Sequence, residues 1–322
     1  MSAWMPDVLG RDYEQRELPL GADPDGEGEV VATLVRHIQP GSRGAYLHVH
    51  GYTDYFFQTG LAEHLVEQGY TFYALDLRKC GRSIREGHTP HFVSDLELYD
   101  VELNEALRII RSEHGHDHIL VGAHSTGGLI VPLWLDRMRA NKLPGVDGLV
   151  LNSPWFDLQG PRYYRSIGTS VIDGIGRFAP KQIIPIESAD AYGTSLHISK
   201  AGEWDYNLKW KPLIGFPARF GWLRAVRQGH AALHRGLDVG CPSLVLRSAR
   251  SHFVKAHEPE VDTADGVLDV GHIARWAGCL GNRTMVVPIE GARHDVFLSN
   301  EGARLAAYDE LDAWLLHSVL DQ

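Results

Sequence analysis

Short apolar runs alternate with amphipathic stretches along most of the chain. Polar residues dominate up to about residue 28, where a turn cluster rich in Gly, Asp and Pro separates two predicted strands, 17–20 and 29–38, that would form an antiparallel hairpin. Six further strands are predicted at 45–51, 71–77, 118–121, 148–152, 242–247 and 283–289. Helices are predicted at about 59–68, 96–112, after residue 128, at 268–280 and at 302–320. This alternation predicts a mostly parallel, eight-stranded sheet with helices on both faces.

The alternation stops between residues 159 and 235. Prolines and aromatic residues occur there without a strand–helix period. Aromatic side chains bury large areas, which favours a folded insertion over a disordered loop. The chain is therefore divided into an α/β core, 1–158 and 236–322, and an inserted cap, 159–235. The aromatic residues behind this prediction are Tyr163, Tyr164, Trp204, Tyr206, Trp210, Phe216, Phe220 and Trp222.

The composition is that of an ordinary globular protein. With 322 residues, 44% of them hydrophobic, the chain can form one large domain with a sizeable core. A formal net charge of -10 argues against non-specific binding to nucleic acids or anionic membranes. Cys80, Cys241 and Cys279 are too few and too scattered for a disulfide framework or a zinc site, which favours a reducing compartment.

The N-terminus, 1–7, lacks a basic region followed by an apolar stretch, and no run approaches the length of a bilayer span. We therefore expect a cytoplasmic protein without an integral membrane segment. Its expected partner is a small or neutral molecule and not a nucleic acid, and a homodimer stays open.

One turn carries the strongest chemical signal. A short apolar run leads into Gly122-Ala123-His124-Ser125-Thr126-Gly127-Gly128, and an amphipathic stretch follows. The nucleophile elbow requires small residues two positions before and after a serine, because its strained backbone leaves no room for larger side chains. Ala123 and Gly127 meet that requirement, although Ala replaces the commoner Gly. A serine that only capped the N-terminus of a helix would not need small residues on both sides. Ser125 is the predicted nucleophile, and here the sequence resembles the α/β-hydrolases.

A general base is expected after the last strand of such a sheet, where His294 lies. The acid that orients it is expected after the strand that ends at Arg247. Asp265, just ahead of the next predicted helix, is the first candidate, where relatives that this chain resembles place their acid. Asp262 and Asp269 are alternatives. Asp295, adjacent to the histidine, is expected to brace the loop instead.

The order Ser125, Asp265, His294 is that of the α/β-hydrolases. Together with the His50-Gly51 pair and the insertion, it resembles the serine aminopeptidase S33 group, which includes monoacylglycerol lipases and lysophospholipase-like esterases. The resemblance covers nearly the whole chain from about residue 29. It implies a cofactor-free, metal-free serine hydrolase of small apolar acyl esters, with an oxyanion hole made by the backbone N–H groups of Tyr52 and Thr126. Substrate contacts are expected from His50, Gly51, His124, Trp155 and Trp204.

Other functions stay open at this point. His48 and His50 at a strand end could begin a metal site, and the run 114–118 contains three more histidines. The same fold also hosts peptidases, amidases, thioesterases, lyases and proteins that bind without catalysis. The aromatic cap favours an apolar acyl or aryl group, and no acidic cluster is committed to an α-amino group, so an ester is expected before a peptide.

Overall fold

The computed structural model describes residues 3–159, 172–185 and 189–319. In these residues one sheet contains nine strands in the order β1-β2-β3-β5-β4-β6-β7-β8-β9. The first three strands and β5 pair antiparallel, and all pairs from β5 through β4 to β9 are parallel. The strands are β1 (Met5–Asp7), β2 (Gly10–Ala22), β3 (Glu29–His37), β4 (Ala45–Val49), β5 (Thr71–Asp76), β6 (Ile119–His124), β7 (Gly148–Asn152), β8 (Ser243–Ser248) and β9 (Thr284–Ile289).

Helices cover both faces of the sheet. Within the described ranges they are α1 (Thr59–Glu67), α2 (Asp100–Arg108), α3 (Gly127–Ala140), α4 (Ala191–Leu196), α5 (Phe220–Leu233), α6 (Val270–Trp276) and α7 (Glu301–Trp314), and residues 172–178 are also helical. One hydrophobic cluster lies under α1 and α7, and a second, larger one lies under α2, α3, α5 and α6. None of the described helices is long and apolar enough to cross a membrane.

Burial on both faces explains the sequence of the central strands. Every residue of β4, β5, β6 and β7 is buried. A parallel strand covered by helices on both sides has no solvent face, so it reads as a continuous apolar run and not as an alternating one. The predicted mostly parallel sheet with helices on both faces is confirmed, and the carboxyl ends of these strands meet at one edge of the sheet.

The sheet has one strand more than the eight predicted. The additional strand, β1, pairs antiparallel with the first half of β2, which begins at Gly10 and not at Glu17. Most residues of β1 and of the first part of β2 are exposed and polar, so they lack the apolar alternation by which a strand is recognised in a sequence. Pairing, and the buried ion pair of Asp7 with Arg82, hold this edge in place.

The predicted helix 96–112 is divided in the structure. A 3-10 turn (Leu96–Tyr99) precedes α2, and a π turn (Ile109–Glu113) follows it. The predicted helix 268–280 begins at Val270, where the side chain of Asp269 accepts a hydrogen bond from the Gly271 N–H and so caps α6.

Residues between β7 and β8 contain α4, α5 and the helical residues 172–178, but no strand of the sheet lies there in the described ranges. This region coincides with the predicted cap. Tyr206, Phe220 and Trp222 are buried, as expected for a folded insertion. Tyr163 and Tyr164, on which the same prediction rested, lie outside the described residues.

One glycine of the sheet is required by a close approach. A Cβ added to Gly122 would lie 1.8 Å from the hydroxyl oxygen of Tyr46, which is buried on the neighbouring strand. Gly122→Ala is therefore expected to lower the free energy of unfolding by about 1–3 kcal/mol through overpacking, measured by urea unfolding. Gly145→Ala is the matched control, because a Cβ there meets nothing within 4 Å. A similar loss in both variants would contradict this account.

Candidate active site

Ser125 lies on the sharp turn between β6 and α3. Its φ of 53° is in the left-handed region, which residues other than glycine rarely adopt, so the backbone is strained there. The turn is held to the next strand by the Ser125 N–H, which donates to the Asn152 carbonyl over 3.0 Å. A Cβ at Gly127 would lie 2.5 Å from the carbonyl oxygen of His50. The motif needs a small residue at position 127 because the loop that follows β4 leaves no room there for a side chain.

His294 contacts both of its predicted partners. Its Nε2 lies 3.0 Å from the Oγ of Ser125, and its Nδ1 lies 2.9 Å from an Oδ of Asp265. All three residues are buried or nearly so. With Nδ1–H donating to the carboxylate, Nε2 is the atom that can accept the proton of the serine hydroxyl. This arrangement can generate a nucleophilic alkoxide.

Asp265 is fixed by its own loop. One carboxylate oxygen accepts hydrogen bonds from the N–H groups of Val267 and Leu268, at 2.8 and 2.7 Å, which leaves the other oxygen for His294. Its backbone N–H donates to the Arg250 carbonyl, and its carbonyl accepts from the His252 N–H. The carboxylate therefore keeps its orientation without help from the histidine.

The alternative acids have other partners. Asp262 accepts from Arg293 over 3.0 Å and lies 3.2 Å from the Nε2 of His257. Asp269 caps α6. Asp295 accepts from the side-chain amides of Asn152 and Gln58, at 2.6 and 3.2 Å, and so braces the loop that carries His294. Of the four carboxylates weighed from the sequence, the structure brings Asp265 to the histidine.

The loop after β4 passes directly over the serine. A Cβ at Gly51 would lie 2.9 Å from the Cβ of Ser125, so the residue there must be small. His50 lies beneath this loop: its Nδ1 is 2.7 Å from the Gly51 carbonyl, and its Nε2 accepts from the Leu77 N–H. Among the described residues, no acceptor is found for the backbone N–H groups of Tyr52 and Thr126. Two N–H groups beside a serine can stabilise an oxyanion.

A cavity of about 340 Å³ opens at Ser125 and His294. Its aromatic wall includes Trp155 and Trp222, whose ring centroids are 5.7 Å apart, and Tyr52 packs on Trp222 with a centroid distance of 3.9 Å. Val267 and Leu268, next to Asp265, continue the apolar surface. Of the predicted substrate contacts, Trp155 and His124 line this cavity.

Trp204, His50 and Gly51, also predicted as substrate contacts, are not among the described residues that line the cavity. The Trp204 indole N–H donates to the Leu298 carbonyl over 3.1 Å, and Arg304 lies on its ring. Trp204 therefore fastens the predicted cap to the loop after β9. His50 and Gly51 instead shape the loop above Ser125: His50 through its hydrogen bonds, and Gly51 through its lack of a side chain.

Sequence reasoning did not identify Tyr192, Trp222 and Lys211 as cavity residues. Tyr192 on α4 packs edge-on against His294, with ring centroids 5.5 Å apart, and its hydroxyl accepts from the Asp295 N–H. Burial raises the pKa of the Tyr192 hydroxyl well above its ordinary value. Trp222 and Lys211 also line the cavity. All three belong to the region without periodicity, where no pattern indicated which side chains face inward.

Lys211 is part of a buried polar group. Its Nζ lies 2.7 Å from one carboxylate oxygen of Asp54, and the Nδ1 of His124 lies 3.1 Å from the other. Burial opposes ionisation of Asp54, but the charge of Lys211 and the hydrogen bond from His124 outweigh it and hold the pKa of this carboxyl well below its usual range. Asp54 follows a strand end, which is a signal that could have identified it.

The histidine runs considered as metal ligands are placed elsewhere. His48 is buried against Phe56, and burial lowers its pKa to about 4. His114 and His116 contact the hydroxyl of Tyr73 at the opposite end of the sheet. No group of three or more metal-ligating side chains is found in the described part of the chain.

Comparisons with known proteins identify the family and the fold. A sequence model described as "Serine aminopeptidase, S33" matches residues 40–297. No curated protein matches in sequence. A soluble variant of monoglyceride lipase from Saccharomyces cerevisiae, in complex with a substrate analog, is similar in structure, with a TM-score of 0.70, 17% identity and 98% of each chain covered.

Two further solved structures share the fold. The monoacylglycerol lipase of Paleococcus ferrophilus has a TM-score of 0.62 and 19% identity, over 89% of this chain and 98% of that one. Est1E from Butyrivibrio proteoclasticus has a TM-score of 0.52 and 15% identity, over 94% of this chain and 98% of that one.

Proposed function

Because the chain belongs to the serine aminopeptidase S33 family of α/β-hydrolases, we propose that it is a serine hydrolase of carboxylic esters with small apolar acyl groups. One observation carries the proposal. The Nε2 of His294 lies 3.0 Å from the Ser125 hydroxyl while its Nδ1 lies 2.9 Å from Asp265, at the mouth of a cavity.

The proposed reaction has two halves. His294 accepts the proton of the Ser125 hydroxyl as the Oγ attacks the ester carbonyl, and the resulting imidazolium is stabilised by Asp265. The proton is then given to the leaving alkoxide, which departs as an alcohol and leaves an acyl-enzyme. In the second half, water loses a proton to His294 as it attacks the acyl group, and the acid is released with Ser125 restored.

The developing oxyanion would be stabilised by the N–H groups of Tyr52 and Thr126. Both lack an acceptor among the described residues, and both adjoin Ser125 or the loop packed on it. Each donor of this kind typically accounts for about a hundred- to a thousandfold in rate.

The lining of the cavity favours an ester over a substrate with a free α-amino group. No Asp or Glu is found among the described residues that line it. Asp54, the nearest carboxylate behind His124, is already compensated by Lys211. An ammonium group would therefore lose its hydration without gaining a carboxylate partner.

The size of the cavity favours a small acyl or aryl group. About 340 Å³ is at the lower end of the range for small-molecule sites. Monoacylglycerols and lysophospholipids with short acyl chains are candidate substrates, in line with the monoglyceride lipases that share the fold.

We further propose that residues 159–235 form the cap over this cavity. We also propose that the protein is cytoplasmic, with Cys80, Cys241 and Cys279 free as thiols.

The test is a series of p-nitrophenyl esters: acetate, butyrate, octanoate and palmitate. We expect kcat/KM to be highest for butyrate or octanoate and lowest for palmitate, because a cavity of about 340 Å³ is small for a palmitoyl chain and Trp155 and Trp222 form part of its wall. Trp222→Ala removes part of this wall and is expected to raise the octanoate-to-butyrate ratio of kcat/KM. No hydrolysis of any member, or a ratio that does not respond to Trp222→Ala, would contradict the proposed acyl site.

A further inference from the structure

A buried line of polar side chains leads from the predicted cap to the candidate general base. Lys211 donates to Asp54, Asp54 accepts from the Nδ1 of His124, and the ring of His124 lies 4.9 Å from the ring of His294. Asp54 and His124 are 1% and 3% exposed, and Lys211 is 6% exposed. The ester-hydrolysis steps proposed above use none of these three residues.

The charges of this line cancel only while Lys211 is present. Lys211 is the cation within ion-pair distance of Asp54, and His124 supplies the other contact to its carboxylate. A buried carboxylate that loses its cation is an unpaired negative charge, and its field acts on neighbouring groups because no water screens it. The nearest titratable groups that this charge would affect are the facing imidazoles of His124 and His294.

The free edge of His124 faces the site. With Nδ1–H donating to Asp54, its Nε2 has no hydrogen-bond partner among the described residues, and the residue lines the cavity next to Ser125. A charge on Asp54 therefore acts across a single imidazole ring on His294.

The segment that carries Lys211, residues 207–217, is also bonded to the loop that holds Tyr52. The Asn207 N–H donates to the Tyr55 hydroxyl over 2.7 Å, and the Phe216 N–H donates to the Thr53 hydroxyl over 3.0 Å. These contacts fix Lys211 relative to Asp54. They also place the cation on the predicted cap and its counter-ion on the core.

We propose that Lys211 is a positioning residue of this hydrolase, whose ammonium cancels the charge of Asp54 one imidazole ring away from His294 and so preserves the ability of His294 to act as a base. The inference rests on the proposed function. It assigns a role to a residue of the predicted cap that touches neither the serine nor the histidine.

His294 is faced by titratable groups from several elements. Asp265 contacts its Nδ1, Tyr192 of α4 packs on its ring, and His124 faces it from the end of β6. On its own loop, Arg293 pairs with Asp262, and Asp295 is held by Asn152 and Gln58. Behind His124 lie Asp54, Lys211, His48 and His50, which act on one another electrostatically. Lys211 is a member of this set that a substitution can remove without altering the contacts of His294 with Asp265, Tyr192 and His124.

The test compares Lys211→Met with wild type by the pH dependence of kcat/KM for p-nitrophenyl butyrate and of fluorophosphonate labelling at Ser125. Loss of the ammonium leaves Asp54 uncompensated, and its negative charge favours protonated His294. The acidic limb of both profiles is expected to move up by about 0.5–1 pH unit. Below the limb, kcat/KM falls by the corresponding factor of about three to ten.

Three variants separate charge from structure. Lys211→Arg keeps the cation and is expected to keep the wild-type limb. The double variant Asp54→Asn/Lys211→Met removes both charges and is expected to return the limb to its wild-type position. Lys209→Met, an exposed lysine two residues away, is the matched control and leaves the limb unchanged. An acidic limb that does not move in Lys211→Met, or that stays displaced in the double variant, overturns the inference.

Histidine NMR titration distinguishes this inference from the proposed function. The His294 resonance, assigned with a His294→Gln variant, is expected to titrate at higher pH in Lys211→Met whether or not an ester is turned over. Absence of hydrolysis and of Ser125 labelling in wild type would refute the serine hydrolase. Movement of the His124 resonance alone, with His294 unchanged, would refute the role of Lys211 and leave the hydrolase intact.

Discussion

Replacement of Ser125 by alanine is expected to lower kcat for p-nitrophenyl butyrate by about 10⁴- to 10⁶-fold. The variant keeps the small residue that the strained turn tolerates but has no oxygen to attack the carbonyl. The Nε2 of His294, 3.0 Å from the missing Oγ, would then have no proton to accept. Steady-state hydrolysis measures the loss, and fluorophosphonate labelling followed by peptide mapping identifies the labelled residue.

The matched control is Ser42→Ala, an exposed serine at the opposite end of the sheet, which is expected to keep wild-type turnover. Label on Ser125 in wild type, and its absence in Ser125→Ala, would establish the nucleophile. Undiminished hydrolysis by a correctly folded Ser125→Ala would rule out an acyl-enzyme at Ser125 and mean that the ester is cleaved by a different nucleophile.

Asp265→Asn is expected to lower kcat by about 10³- to 10⁴-fold while the chain stays folded. Asn can still accept from the N–H groups of Val267 and Leu268, which hold the side chain at present. It cannot stabilise a positively charged His294, and its amide can turn the imidazole to the wrong tautomer. Stopped-flow and steady-state assays of the ester series measure the effect, with circular dichroism as the check on folding.

Substitution of the neighbouring acids Asp262 and Asp269 tests whether Asp265 is the acid that orients His294. Asp262→Asn weakens the pair with Arg293, and Asp269→Asn keeps an N-cap on α6, so both are expected to retain most of the wild-type kcat. A loss in Asp262→Asn as large as that in Asp265→Asn would mean that the acid of the site had been assigned to the wrong residue.

Elements with strong local signals could be predicted from the sequence. Buried parallel strands appear as apolar runs, and the turn at Ser125 needs small neighbours for steric reasons that the structure makes explicit at Gly127 and Gly51. His294 could be predicted because its position follows from strand order. Asp265 is one of several carboxylates in its loop, and only its 2.9 Å contact with the Nδ1 of His294 distinguishes it from the others.

The rest depends on contacts between distant parts of the chain. Lys211 and Asp54 are 157 residues apart, and nothing local to either residue indicates the other. Aromatic residues in a cap can serve either packing or binding, and the hydrogen bond of Trp204 to the Leu298 carbonyl, 94 residues away, has no signal in the sequence. The edge strand β1 escaped prediction because exposed strands are held by pairing and not by an apolar face.

The ion pairs of Arg82 bear on where the protein can be shortened. This buried guanidinium donates to Asp7 of β1, to Asp76 of β5 and to the Phe56 carbonyl. The family match begins only at residue 40, beyond β1, β2 and β3. Those strands nonetheless cover one edge of the sheet and supply Leu18 and Leu34 to its core. The boundary of sequence similarity is therefore not a boundary of autonomous folding, and a truncation made there would expose a hydrophobic sheet edge together with an arginine that has lost one of its two carboxylate partners.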